Sequence, residues 1–179
     1  MTTDGKVVVF IAMSLDGFIA TDDGGVGWLD RYNDAGTDFG YEDFIARVGA
    51  NVQGSKTYEQ VLGFDVPYPY EVPSFVVTSR ELETPAGADV RFFRPDELPA
   101  LVAAAREATT KDIWLIGGGQ VIRSFLEHRL VDEFIITIMP DVLGSGVPLF
   151  PEGTPPSTLR LVRSETFPAS VVSLHYTVV

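Results

Sequence analysis

The sequence predicts an α/β fold with a mainly parallel central sheet and an antiparallel C-terminal part. Three observations predict it. Short apolar, β-branched runs alternate with segments of helical spacing through the first two-thirds of the chain, the pattern of parallel strands joined by crossover helices. From Asp132 onward the order becomes strand, turn-rich loop, strand, which suits an antiparallel ending. Between a buried run and a helix stands Gly117-Gly118-Gly119, a turn that lets backbone approach a ligand.

Val7–Ala12, Phe75–Thr78, Ile113–Ile116, Glu133–Ile138 and Val171–Val179 have the length and the Val, Ile and Phe content of strands. A further strand ends at Gln53, and a short helix, Thr57–Leu62, follows it. A helix is expected over about Asp38–Val48, with Tyr41, Phe44, Ile45 and Val48 on its apolar face. In Asp96–Thr109, Leu98, Leu101, Val102 and Ala105 share one helical face, and Pro99 is tolerable in the first turn, where amides lack partners anyway. Val121, Ile122, Phe125 and Leu126 mark the helix after the triple glycine, and Val172, Leu174, Tyr176 and Val178 alternate as a strand. Gly63–Pro73 and Leu143–Pro156 read as loops within one domain covering residues 1–179, a length that one compact core accommodates.

The chain carries 13 basic and 25 acidic residues, a net charge of −12. That balance argues against nucleic acid or an anionic membrane as a main partner, since both require basic surface. The absence of cysteine removes disulfides, thiolate catalysis and cysteine metal sites. Met1–Lys6 runs straight into a strand-like segment and no apolar run nears the ~18 residues of a membrane helix. A cytoplasmic protein is therefore expected.

Three glycines before a helix favour a phosphate at the helix N-terminus, where free amides and the dipole attract anions, over a tight turn without a ligand. The spacing G-x-G-x-x-G fails, because the last required position is Ile122. Gly49–Thr57 resembles a P-loop but inserts Ser55 between glycine and lysine, which argues against a nucleotide triphosphatase. Gly54-Ser55-Lys56-Thr57 is nonetheless a second helix start with hydroxyls and a cation, and Thr78-Ser79-Arg80 ends a third strand. Three anion sites suit a dinucleotide carrying a 2′-phosphate.

Longer segments carry a family resemblance. Ser14-Leu15-Asp16-Gly17-Phe18-Ile19-Ala20 resembles the "SLDG-x-IA" signature of the riboflavin-biosynthesis reductase domain and its stand-alone relatives. Gly54–Glu59 resembles their "G-R-x-T-Y/W-E" segment, and Ile116–Ile122 their "IGGG-x-x-I/Y" turn. Leu130–Glu133 and Pro140–Phe150 resemble "LIDE" and "P-x-x-LG-x-G-x-PLF". The resemblance spans nearly the whole chain and implies a dihydrofolate-reductase-like three-layer fold that binds NADPH. By position, Ala12 and Ile19 would flank the nicotinamide, and Gly54, Ser55, Lys56 and Thr57 would hold phosphates. Thr78, Ser79 and Arg80 would meet the 2′-phosphate. Gly117, Gly118, Gly119, Gln120, Val121 and Ile122 would close on the pyrophosphate. Ser55 stands where the family has arginine, and Ala20 where folate reductases have glycine. Arg80 carries the expectation of NADPH over NADH, because arginine grips phosphate with a two-pronged fork; taken alone it is equally a solvated charge.

Hydride transfer is the cofactor's chemistry, and the protein must position substrate and manage a proton. Asp38 is the carboxylate nearest the apolar face of the first helix, although a helix cap is the favoured reading for it. Asp16 is the other candidate, equally a turn-forming Asp-Gly. Trp28, Tyr58 and Ile116 are expected on the substrate side, with plain core packing open for Trp28 and Tyr58. His128 and His175 lack metal partners at useful spacing, and Asp22-Asp23-Gly24-Gly25 lacks calcium-loop spacing, so no metal is expected. The leading reading is an NADPH-dependent reductase of a small substrate similar to the riboflavin-pathway reductase, without that pathway's deaminase motifs. A dihydrofolate reductase proper and a non-catalytic, dimeric NADPH-binding module are the alternatives. A homodimer is possible, with the two apolar terminal strands either pairing across an interface or internal.

Overall fold

The computed structural model describes residues 5–179; the opening residues 1–4 lie outside it. In chain order the strands are β1 (Val7–Ser14), β2 (Phe18–Ala20), β3 (Val48–Gly54), β4 (Ser74–Val77), β5 (Val90–Phe93), β6 (Asp112–Gly117), β7 (Glu133–Met139), β8 (Val147–Pro148), β9 (Leu159–Phe167) and β10 (Val171–Val178). The helices are α1 (Tyr41–Ile45), α2 (Ser55–Leu62), α3 (Leu98–Ala108) and α4 (Gly119–Glu127). The main sheet has eight strands in the order β5-β4-β3-β6-β1-β7-β10-β9. All pairings from β5 to β7 are parallel, and β10 then joins β7 and β9 antiparallel. This is the expected mainly parallel sheet with an antiparallel finish.

Alternation of side chains across β1 explains the layers. Val7 and Val9 face the core into which α3 and α4 send Leu98, Leu101, Val102, Ile122 and Phe125. Val8 points the other way, to Phe44 of α1, Val48 and Trp114. Helices on both faces make three layers, the architecture the family resemblance implies. Because β7 and β10 each have neighbours on both sides, both terminal strands are internal, and neither offers an edge for pairing with a second copy.

The first helix is shorter than its periodicity suggests. Gly40 sits at φ 83° and Asp38 accepts hydrogen bonds from the amides of Gly40 (3.1 Å) and Glu42 (2.6 Å), which fixes the helix start at Tyr41. Val48 has already entered β3 opposite Asp112. β5 and β9 escaped the sequence reading because they are edge strands whose charged residues, such as Arg160 and Arg163, break the apolar pattern.

The amino-terminal ends of the parallel strands are tied by charge. Glu133, nearly fully buried at the start of β7, pairs with Lys6, Arg47 (3.3 Å) and His175 (2.9 Å), and Arg47 also pairs with Asp112 at the start of β6. At the opposite, carboxyl edge Arg31 pairs with Asp141, just past β7, at 2.9 Å. No helix of the described residues is long and apolar enough to cross a membrane.

Candidate functional site at the carboxyl edge of the sheet

A central strand flanked by helices is normally covered along its length, but β1 is not. Val7, Val8 and Val9 are fully buried, whereas Phe10, Ile11, Ala12 and Met13 are only half-buried. The carboxyl half of the sheet's middle strand is therefore only partly covered, and Phe10 within it borders a cleft shared with Asp43 and Phe44 of α1 and Ser173 of β10. Half-buried Ile116 on neighbouring β6 and half-buried Ile19 in β2 share this end of the sheet.

Two glycine turns meet beside this half of β1, where a Cβ on Gly117 would lie 3.8 Å from the Ile11 side chain. Gly54 closes β3, where Gln53 registers with Gly117 of β6. A Cβ on Gly54 would strike the Val121 side chain at 2.7 Å and lie 3.9 Å from the Gly118 nitrogen, and a Cβ on Gly118 would lie 3.8 Å from the Thr57 hydroxyl. α2 and α4 thus start side by side, and neither has a side-chain cap. Uncapped amides at two adjacent helix starts make a candidate anion cradle. Lys56 is exposed and has no acid within ion-pair distance among the described residues. The peptide between Gly117 and Gly118 is cis, and Gly117 holds φ 121°.

The other expected phosphate residues divide by environment. Gly119 has no room for a ligand at its Cα, since a Cβ there would meet the Pro148 carbonyl at 2.4 Å; its glycine serves packing. Ile122 is fully buried, so only its backbone is available, while Gln120 is exposed and Val121 half-buried. Ser55 and Thr57 are half-buried at the start of α2. Thr78 is buried at the end of β4, and its hydroxyl accepts the Arg80 amide at 2.9 Å; Ser79 and Arg80 are exposed. Arg80 is a solvent-exposed charge, but a partnered one. Its Nη1 and Nη2 donate to the two carboxylate oxygens of Glu59 at 3.0 and 2.7 Å.

Neither candidate acid sits buried in the cleft. Asp38 is exposed and caps α1, and the Glu42 and Gly40 amides hold its carboxyl below the usual value. Asp16 is exposed as well. It accepts hydrogen bonds from the Ser14 hydroxyl (2.6 Å) and from the amides of Leu143 (3.1 Å) and Gly144 (2.7 Å). The Ser14 bond, followed by the Gly144 and Leu143 amides, outweighs burial and lowers its pKa. Asp16 thereby straps the loop after β7 to the end of β1, and Asp22, just past β2, accepts from Ser145 of the same loop at 2.6 Å. Tyr58 does not reach the cleft: it is fully buried, its hydroxyl donates to the Glu83 carbonyl at 2.5 Å, and its ring packs on Tyr68 and Phe92.

Sequence reasoning missed Thr137 and Gln53, and it gave Trp28, expected on the substrate side, no polar role. Thr137 of β7 is the register partner of Ala12, is buried, and its hydroxyl has no partner among the described residues. The indole N–H of Trp28 is likewise unpartnered, and Trp28 packs in the same cluster as Ala12. Gln53, fully buried one residue before Gly54, donates to the Tyr68 hydroxyl at 2.9 Å but leaves its own Oε1 unpaired. Buried polar atoms without partners are uncommon and mark places where a ligand or water completes the bonding. A signal existed: Thr137 lies among Ile135, Ile136 and Ile138 in β7, and Gln53 follows Val52 in β3, so each is a polar residue in a run that is otherwise largely apolar.

Comparison with known proteins gives this geometry its setting. YwjB and YyaP, uncharacterised proteins of Bacillus subtilis (strain 168), are 37% and 29% identical over 171 and 186 residues, covering 96% of this chain in each case and 97% and 94% of theirs. The crystal structure of a protein from Shewanella sp. PV-4, named for riboflavin biosynthesis, superposes with TM-score 0.82 at 34% identity, covering 97% of this chain and 99% of that one. The deaminase/5-amino-6-(5-phosphoribosylamino)uracil reductase of Thermotoga maritima shares the fold at TM-score 0.71 and 17% identity, with 98% of this chain matching 57% of the longer one. The RibD C-terminal domain profile matches residues 5–173, and the chain belongs to that family.

Proposed function

We propose that this protein is an NADPH-dependent reductase of a small heterocyclic or ribosyl-amine substrate, similar to 5-amino-6-(5-phosphoribosylamino)uracil reductase. The observation that carries this reading is the meeting of two uncapped helix starts, α2 and α4, beside the uncovered carboxyl half of β1. Gly54, Ser55, Thr57, Gly117 and Gly118 would hold the pyrophosphate, Lys56 would add charge, and Arg80 would meet the 2′-phosphate. Ala12 and Ile19 would flank the nicotinamide, whose contribution when bound is a hydride.

The substrate would lie over Ala12 and Ile116. The Thr137 hydroxyl and the Trp28 N–H, both buried without partners, would bond its polar edge. The rows of Phe10 and Ile116 would exclude water from one face. Reduction of a C=N or C=O bond also needs a proton at the heteroatom. With Asp38 and Asp16 exposed and ionised, that proton would arrive from solvent through the cleft. One domain, a cytoplasmic location and a homodimer belong to the same reading, and a dimer would use a surface other than the edges of β7 and β10.

Fluorescence titration with NADPH and NADH tests the proposal. Saturable binding with NADPH the tighter ligand supports it; binding of neither, or equal affinity, overturns the cofactor assignment. The absence of a buried carboxylate among the two candidates favours a second reading, a nucleotide-binding module without catalysis. Tight NADPH binding with no oxidation across a broad acceptor panel would select that one.

A further inference from the structure

We propose that Glu59 is a positioning residue that withholds Arg80 from a 2′-phosphate, so that the site separates phosphorylated from unphosphorylated nicotinamide dinucleotides only weakly. The inference rests on the cofactor reading above and adds to it the residue that limits specificity. Gly54 registers with Val77, which places the start of α2 next to the end of β4. Glu59 stands one turn beyond Ser55 on α2, and the Arg80 backbone is fixed by Thr78, whose hydroxyl accepts the Arg80 amide at 2.9 Å.

From this base the guanidinium reaches Glu59 end-on, Nη1 to Oε1 at 3.0 Å and Nη2 to Oε2 at 2.7 Å. Both terminal nitrogens are then committed to a carboxylate, the same two-pronged geometry that a phosphate would use. A 2′-phosphate must either displace Glu59 or take the remaining Nε edge with a carboxylate nearby. Either route opposes the anion. Ser55 adds no charge, leaving Lys56 as the nearby cation without an acid partner among the described residues. The pair is open to solvent, with side chains 56% and 42% exposed, so water and salt weaken it. Glu59 therefore reduces the preference for the phosphorylated cofactor without abolishing it.

The test is binding, read by fluorescence titration or calorimetry, for the wild type and for Glu59→Gln, Glu59→Asp, Arg80→Ala and the double variant Glu59→Gln/Arg80→Ala. Glutamine keeps an acceptor to orient Arg80 while removing the charge. The wild type is expected to favour NADPH over NADH by less than about tenfold, and Glu59→Gln to tighten NADPH by roughly three- to tenfold while NADH moves less than about twofold. Glu59→Asp should stay near wild type, and the double variant should show no gain over Arg80→Ala. A structural role alone would move both cofactors together. Glu59→Gln that leaves NADPH affinity unchanged, weakens it, or shifts both cofactors equally overturns the inference. If the wild type binds NADPH normally and only the Glu59 variants fail to respond, this inference falls alone; if the wild type binds neither cofactor, the cofactor reading falls with it.

Discussion

Ala12 and Thr137 are register partners across β1 and β7, and the Thr137 hydroxyl, on the same side as Ala12, is buried with no hydrogen-bond partner among the described residues. An apolar residue there would give a more stable empty protein, because an unpaired buried hydroxyl is destabilising. Its place opposite Ser173 of β10, which borders the cleft, fits a group whose partner arrives with the ligand.

Thr137→Val, which keeps the shape, is therefore expected to stabilise the ligand-free protein by up to about 1 kcal/mol. Thermal unfolding checks this. Loss of stability by a similar amount would show that the hydroxyl already has a partner.

The triple glycine should separate into structural and ligand-facing positions. Gly119→Ala forces a Cβ to 2.4 Å from the Pro148 carbonyl, a backbone atom that cannot yield cheaply, and should cost about 2–3 kcal/mol. Gly118 lies at φ −77°, and its nearest outside atom to a new Cβ is the Thr57 hydroxyl at 3.8 Å. Gly118→Ala should fold with wild-type cooperativity yet lose NADPH affinity at least about tenfold, since its methyl would fill the cradle that close backbone approach requires. Denaturant melts paired with cofactor titrations measure both.

Asp38 should behave as a cap. Asp38→Ala is expected to lower the melting temperature at neutral pH, while Asp38→Asn, which retains an acceptor, should lower it less. Because the folded carboxyl titrates below its ordinary value of 3.8, its contribution is complete above that pH and disappears as pH falls through the folded value. Melting curves of wild type and Asp38→Ala should accordingly converge in strong acid.

At the opposite edge, Glu133→Ala should cost about 2–3 kcal/mol. That is below the value for a fully buried pair, because Lys6 and Arg47 remain partly in water. Burial pushes the Glu133 carboxyl up, but Lys6 and His175 outweigh it and leave it below its ordinary 4.5. This stabilisation is present above pH 4.5 and fades as pH drops through the folded value. The difference between variant and wild type should shrink in the same direction.

Much of the fold was legible because core-facing periodicity is a local property. Leu98, Leu101, Val102 and Ala105 are all buried on α3, where their spacing put them. The same rule overextended α1, since Gly40, the Asp38 cap and the claim of β3 on Val48 are local exceptions to an apolar stripe. Of the candidate site, the residues that stood out were glycines and hydroxyls before helices, because turn chemistry is written in short segments. No spacing placed Thr137 beside Ala12, because strands far apart in sequence decide which side chains share a face.

By itself the sequence determined the alternation of strands and helices, the glycine turns between them, and the absence of cysteine chemistry. Periodicity, backbone freedom and composition act within a few residues and need no partner. Only the tertiary structure decided what each candidate does. It put Gly54 against Gly118, removed Tyr58 into the core, tied Arg80 to Glu59, and left half of β1 uncovered. Those outcomes depend on which distant segments meet, and in a parallel sheet every neighbour arrives through a crossover.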